Sequence, residues 1–153
     1  MLEPTCDVGL IKSIIKDKDI WDYVSEDQAI ETYEPQIREG IVYLLASDEK
    51  PMGLFVYEKK GQILAEVHSC VLKPFRGVRA LEMAKASLAW IFRNTDMQKV
   101  ITNVPIYNTS ALLLALRAGM VMEGTNRKSF CKNGRIHDQY LLGITREECL
   151  SQQ

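Results

Sequence analysis

Residues 66–81, Glu-Val-His-Ser-Cys-Val-Leu-Lys-Pro-Phe-Arg-Gly-Val-Arg-Ala-Leu, run from a β-type stretch through a basic, glycine-containing turn into an amphipathic helix. A chain that leaves a strand for a helix and then meets another strand must return to the same sheet by a crossover. The unit therefore demands at least one parallel pairing. It also leaves the first backbone N–H groups of the helix without partners, a cradle suited to an anion such as phosphate.

The segments on either side are of another kind. Asp7 is placed to cap a helix in which Leu10, Ile11, Ile14 and Ile15 share one face. Residues 20–24 form a further turn, and residues 25–40, which contain Pro35, read as helix and loop. From Gly40 the period changes to that of strands: 41–46 and 52–57 flank a turn-rich linker, and Lys59-Lys60-Gly61 leads into a third strand over 63–72, an antiparallel meander closed by Pro74. Leu81, Ala84, Leu88, Ile91 and Phe92 recur at helical spacing, which predicts a helix over about 77–94. A fourth strand over 100–104 precedes a helix over 109–118, capped by Asn108 and stopped by Gly119. The last strands are expected at 120–124, resuming at 129–131, and at 136–144, joined through Lys132-Asn133-Gly134. The class is α+β, a mixed, mostly antiparallel central sheet flanked by helices.

At 153 residues, one domain is expected over 1–153, with a helical part at 1–40, a sheet core at 41–145 and a short tail at 146–153. Lys and Arg number 19 against 20 Asp and Glu, so the overall field favours neither nucleic acid nor an anionic membrane as partner. The longest strongly apolar stretch, 111–116, is too short to cross a bilayer, and residues 1–7 lack the pattern of a signal peptide. The expectation is a cytoplasmic protein. Cys6, Cys70, Cys131 and Cys149 are scattered and only two histidines are present, so no metal site and no disulfide framework is expected.

The order of elements, with particular residues in it, resembles the GNAT acetyltransferases over about 41–144. Val71 ahead of Pro74-Phe75-Arg76-Gly77 is similar to that family's strand end and pyrophosphate turn. Asn108-Thr109-Ser110-Ala111, running to Ala118-Gly119-Met120, is similar to its second cofactor helix. Asn-Gly-Arg-Ile-His-Asp-Gln-Tyr-Leu-Leu-Gly at 133–143 is similar to the final hairpin of its ribosomal-protein and N-terminal-amine branch, and the Asp19-Ile20-Trp21 region resembles GNAT-like proteins encoded among the virion-assembly genes of tailed bacteriophages. The resemblance implies acetyl-coenzyme A held between two splayed central strands, at Val71, Leu72, Arg76, Gly77, Val78, Arg79, Ala80, Asn108 and Ala111. Two positions depart from the family's pattern. Arg79 and Leu81 stand where its turn carries glycine and then glycine or alanine, and Ala115 stands where many members carry a tyrosine that protonates the departing thiolate.

Acetyl transfer by direct attack needs a neutral amine and a polarised carbonyl, and no protein nucleophile. Glu66 and His68 alternate to one face of the strand that would line the cleft, and each is a candidate base for an incoming amine. For both, a structural reading stays open: a surface-face carboxylate and a satisfied histidine. His137 and Asp138 are better explained by the polarity of an edge strand. Met83 and Trp90 share a helix flank that could meet the N-terminal helices or a second subunit, so a homodimer is one possible assembly. The expected activity is N-acetyltransfer to a small-molecule or protein amine. The alternative is a non-catalytic GNAT-fold binding or virion-assembly factor of a bacteriophage.

Overall fold

Alternation along the strands sorts the apolar residues of this chain onto two faces of one sheet. The computed structural model describes residues 1–152. Ile41–Ser47 (β2) and Pro51–Lys59 (β3) pair antiparallel, and β3 pairs in turn with Leu64–Val71 (β4). Successive side chains point to opposite faces. Leu44, Phe55, Tyr57, Ala65 and Val67 thus enter one core cluster, whereas Tyr43, Leu45, Leu54 and Cys70 enter a second.

Helices cover each face according to their own periodicity. Val78–Asn94 (α3) buries Ala84, Leu88, Ile91 and Phe92 in the first cluster, where the Tyr57 hydroxyl meets Ser87 Oγ at 2.9 Å, both groups buried. Met83 belongs to this cluster and Trp90 packs against it, so that flank of α3 faces the main core and not the N-terminal helices. Val8–Ile15 (α1) and Lys18–Val24 (α2) bury Ile11, Ile14, Ile15, Ile20 and Trp21 in the second cluster. Both begin on an aspartate: Asp7 Oδ1 accepts from Leu10 N–H at 3.0 Å, and Asp17 Oδ1 from Asp19 N–H at 2.9 Å. Between α2 and β2 the chain is loop with a single 3₁₀ turn at Ile30–Thr32.

After α3 the chain returns as Lys99–Pro105 (β5), parallel to β4. Thr109–Arg117 (α4) follows, capped by Asn108, whose Oδ1 accepts from Ala111 N–H at 3.3 Å. Val121–Lys132 (β6) and Arg135–Thr145 (β7) complete the sheet, with β7 between β5 and β6. Among the described residues the sheet has seven strands, because Leu2–Pro4 (β1) adds to the free edge of β2.

Three details differ from the sequence reading. β1 was not expected; its identity comes from pairing Leu2 with Ala46 and Pro4 with Leu44, and three residues have no period of their own. β6 is one long strand with irregularities between Met122 and Gly124 and between Asn126 and Phe130, where Lys128 takes φ +52°. Most of the expected tail is a helix, Arg146–Ser151 (α5), started by a capping box between Thr145 and Glu148. The Arg146 guanidinium donates to the carbonyls of Phe92, Met97 and Thr95, closing the C-terminal end of α3.

Candidate functional site

Parallel pairing of β4 with β5 is confined to Leu64–Glu66 against Lys99–Ile101. Past that point the two strands diverge towards residues 71 and 105, and Thr102 Oγ1 donates across to Val67 O at 3.0 Å. A wedge opens at the centre of the sheet, with Glu66 at its apex.

Glu66 and His68 do share the face covered by α1 and α2, with Nε2 of His68 3.8 Å from Oε1 of Glu66. The Glu66 side chain is 14% exposed and that of His68 43%. Glu66 is contacted from two further sides, and one of these partners is itself held. Asn103 Nδ2 donates to Oε1 at 3.1 Å, Lys60 Nζ lies 3.7 Å from Oε2, and the Asn103 oxygen accepts from Asn126 Nδ2. Polar side chains on β4, β5 and β6 thus converge where the ladder between β4 and β5 ends.

Beside them lies an open cavity of about 480 Å³, walled by β2–β4 through Tyr43, Val56, Glu58 and His68 and by the 28–36 loop through Tyr33 and Gln36. Burial pushes the Tyr33 phenol up to about 12 and raises that of Tyr43, so both stay protonated hydrogen-bond donors near neutrality. Tyr43 Oη donates to Gln36 O at 3.2 Å, fixing the loop to the wall. The hydrogen bond from Lys60 holds the Glu58 carboxyl below the usual range, assisted by Arg38; burial opposes the shift. The loop is tied down at its start: Asp27 carboxylate oxygens accept the backbone N–H of Asn133 at 2.7 Å and of Gly134 at 2.8 Å, in the β6–β7 turn.

At the other end of β4 the chain passes through a 3₁₀ turn, Lys73–Phe75, to Gly77 at φ +80°, ψ −133°, and into α3. The first turn of α3 has no side-chain cap and no acidic residue, and Leu81 N–H, bonded to Gly77 O at 3.1 Å, is the first to find a helical partner. The N–H groups of Val78, Arg79 and Ala80 are therefore open to a ligand. A Cβ added at Gly77 would meet nothing within 4 Å, so the approach is unobstructed. Arg79 does not cover it, because its guanidinium turns to Asp48 at 3.3 Å. Arg76 is used differently: Nη2 donates to Asp19 O at 2.7 Å and Nε to Val71 O at 3.3 Å, which ties the turn to α2. Lys73 stands nearby, 3.9 Å from Asp19. These residues fit a pyrophosphate: backbone donors, a glycine and a basic surround.

The rest of the expected cofactor set flanks the wedge. Val71 ends β4 and Leu72 follows it, with Leu72 N–H on Met52 O at 3.0 Å, while Asn108 caps α4 and Ala111 lies in its first turn. Ala115 is buried, 8% exposed. His137 and Asp138 have structural partners: the His137 ring packs edge-on against Tyr107 at 4.8 Å, and Asp138 Oδ1 accepts from Lys128 N–H at 2.7 Å. Sequence reading missed Lys60, Asn103 and Tyr33. Asn103 is the one with a usable signal, a polar residue set among β-branched neighbours in 100–104.

Known proteins are similar to this chain in sequence or in fold. A prophage protein of Bacillus subtilis (strain 168), the SPbeta prophage-derived uncharacterized N-acetyltransferase YokL, is 35% identical over 79 residues; the match spans 51% of this chain and 45% of that protein, so less than half of the relative is represented. The crystal structure of spermidine N-acetyltransferase from Vibrio cholerae, in complex with CoA and spermine, superposes with a TM-score of 0.79 over 98% of this chain and 97% of that one, at 19% identity. Ribosomal-protein-S5-alanine acetyltransferase from Vibrio fischeri gives a TM-score of 0.64 at 16% identity, over 71% and 63%. Those superpositions establish the fold, that of the GNAT acetyltransferases. Residues 8–148 match the family described as Protein of unknown function (DUF2824), and the chain belongs to that family, built on the GNAT fold.

Proposed function

We propose that this chain is an N-acetyltransferase that moves an acetyl group from acetyl-coenzyme A to a primary amine, by direct attack of the amine. The observation that carries this reading is the wedge between β4 and β5. It has a candidate base pair, Glu66 and His68, at its closed end and an open anion cradle, Gly77 to Ala80, past its wide end. Bound acetyl-coenzyme A would supply an activated thioester carbonyl. Backbone N–H groups of Val78, Arg79 and Ala80 would hold its pyrophosphate, Val71 at the end of β4 and the following Leu72 its arm, and Asn108 and Ala111 the opposite wall.

The acceptor enters from the cavity beside His68. Glu66, kept in place by Asn103, takes the ammonium proton directly or through His68, leaving the nitrogen lone pair free. Tyr33 and Gln36 form the wall opposite, on the 28–36 loop. A protein N-terminus, a lysine and a small amine all satisfy this chemistry, in the cytoplasm where acetyl-coenzyme A is available.

The test combines a thermal-shift titration with acetyl-coenzyme A and an assay of coenzyme A release on adding amines. A ligand that binds only the native state adds about 2.7 kcal/mol at a hundredfold excess over Kd, so the melting temperature rises by several degrees. No shift at millimolar ligand overturns the reading. The non-catalytic alternative, a binding or virion-assembly factor, draws on Ala115, which offers no hydroxyl to a leaving thiolate, and on the prophage origin of the relative. Binding of the cofactor without turnover of any amine would favour it.

A further inference from the structure

The carboxylates around the acceptor cavity already have cationic partners. Glu34 pairs with Lys12, and Glu58 with Arg38 at 3.1 Å and with Lys60 at 2.9 Å. Lys60 Nζ also lies 3.7 Å from Glu66 Oε2. One ammonium therefore stands between two carboxylates, the cavity-wall Glu58 and the candidate base Glu66. Three carboxylates face three cations, so the site carries no excess of negative charge, and each further positive charge on a ligand adds repulsion from Lys60 without a free carboxylate to offset it.

Resting on the acetyltransferase reading above, we propose that Lys60 determines acceptor specificity: its ammonium fills the Glu58–Glu66 carboxylate pair, so the cavity takes amines that bring one positive charge and rejects polyamines. A like charge set against an incoming cation is the repulsive element that specificity requires, and it costs the polycation more than the monoamine. The Vibrio cholerae protein with the same fold was crystallised with spermine. The difference in acceptor charge is assigned here to a residue of this chain, not to the shape of the fold.

Calorimetry with spermine and with n-butylamine, on the apo-protein, tests the proposal and needs neither acetyl-coenzyme A nor turnover. Lys60→Met keeps the length of the side chain and removes its charge. It is expected to tighten spermine binding by at least about tenfold, and butylamine binding by much less. Lys60→Arg keeps the charge and should keep the weak spermine affinity of the wild type. Lys59→Met changes the net charge equally, one residue away and outside the pair, and should leave spermine affinity unchanged. Equal spermine affinity in wild type and Lys60→Met, an equal gain in Lys59→Met, or binding by neither protein overturns the proposal. If Lys60→Met gains spermine binding while acetyl-coenzyme A gives no thermal shift, the acetyltransferase reading fails and the charge filter stands.

Discussion

At the scale of single residues, the site depends on a carboxylate whose position is over-determined. Glu66 is held by Asn103 and faced by Lys60 and His68, so removing its charge should disturb chemistry far more than structure. Glu66→Gln keeps the shape and the contact to Asn103, and is expected to lower kcat by roughly 10²–10⁴ while the Kd for coenzyme A stays unchanged. Full activity in this variant would remove Glu66 from the mechanism, and the same measurement on His68→Gln decides between the two. Arg79 poses a different question, because the resemblance puts it where a glycine is usual. Its guanidinium is turned to Asp48, so its backbone N–H stays open while the charge stands to one side. Arg79→Glu should therefore weaken coenzyme A binding clearly, by repulsion of the phosphates, and Arg79→Gly only modestly. Calorimetry on both variants checks the order. If Arg79→Gly binds more tightly than wild type, the side chain obstructs the cradle.

Among elements, the strand–turn–helix unit was legible because each of its parts carries a local signal: the β-type run, Pro74, Gly77 and the apolar stripe of α3. The helix predicted over 77–94 is observed at Val78–Asn94. Asp7, Asn108 and Gly119 were legible for the same reason, since caps and stops act within one turn. What sequence did not show is what tertiary contact creates. β1 exists because β2 has a free edge, and the apex at Glu66 because Asn103 lies beside it, 37 positions further along the chain; α5 does carry a local signal, the Thr145–Glu148 capping box, and Arg146 then ties it to the end of α3 through three carbonyls. Lys60 reads in sequence as part of a solvated turn, and only the fold places it between Glu58 and Glu66. Two predictions belong at this scale. Gly77 combines φ +80° with ψ −133°, a conformation essentially restricted to glycine, so Gly77→Ala should cost on the order of 1–3 kcal/mol through backbone strain, since the added methyl meets nothing. Chemical denaturation measures it, and an unchanged stability would show that the turn relaxes. Asp27→Ala removes the acceptor of two backbone N–H groups in the β6–β7 turn, and should speed amide exchange at Asn133, Gly134 and through residues 26–34, with exchange in α3 unaffected. Uniform exchange across the chain would show that the clamp is global and not local.

For the whole molecule, two surface carboxylates and the groups buried in the cluster beneath α1 and α2 set a window of pH in which the fold is stable. On the acid side, Glu58 and Asp27 have carboxyl groups held below their ordinary values of 4.5 and 3.8, Glu58 chiefly by the hydrogen bond from Lys60 and Asp27 chiefly by the Gly134 N–H. Their contribution is complete above those ordinary values and is lost as pH falls through the lower folded ones. On the alkaline side the governing group is Cys70, 2% exposed among Ile14, Trp21 and Leu54, where burial raises the thiol from 9.0 to about 12. Tyr33, raised from 10.0 to about 12 by burial, acts in the same direction. The unfolded chain ionises these groups first, so stability is full below pH 9 and falls as pH rises towards 12. For Cys70 the loss is on the order of 2–3 kcal/mol by about pH 11, a difference of roughly two units at about 1.4 kcal/mol each. Urea unfolding at about pH 8 and about pH 11 tests this on wild type and Cys70→Ala. The variant should begin lower at the first pH, because a buried sulfur is deleted, and should lose less between the two. An equal loss in both proteins would place the alkaline transition on the tyrosines and remove the thiol beneath α1 and α2 as its origin.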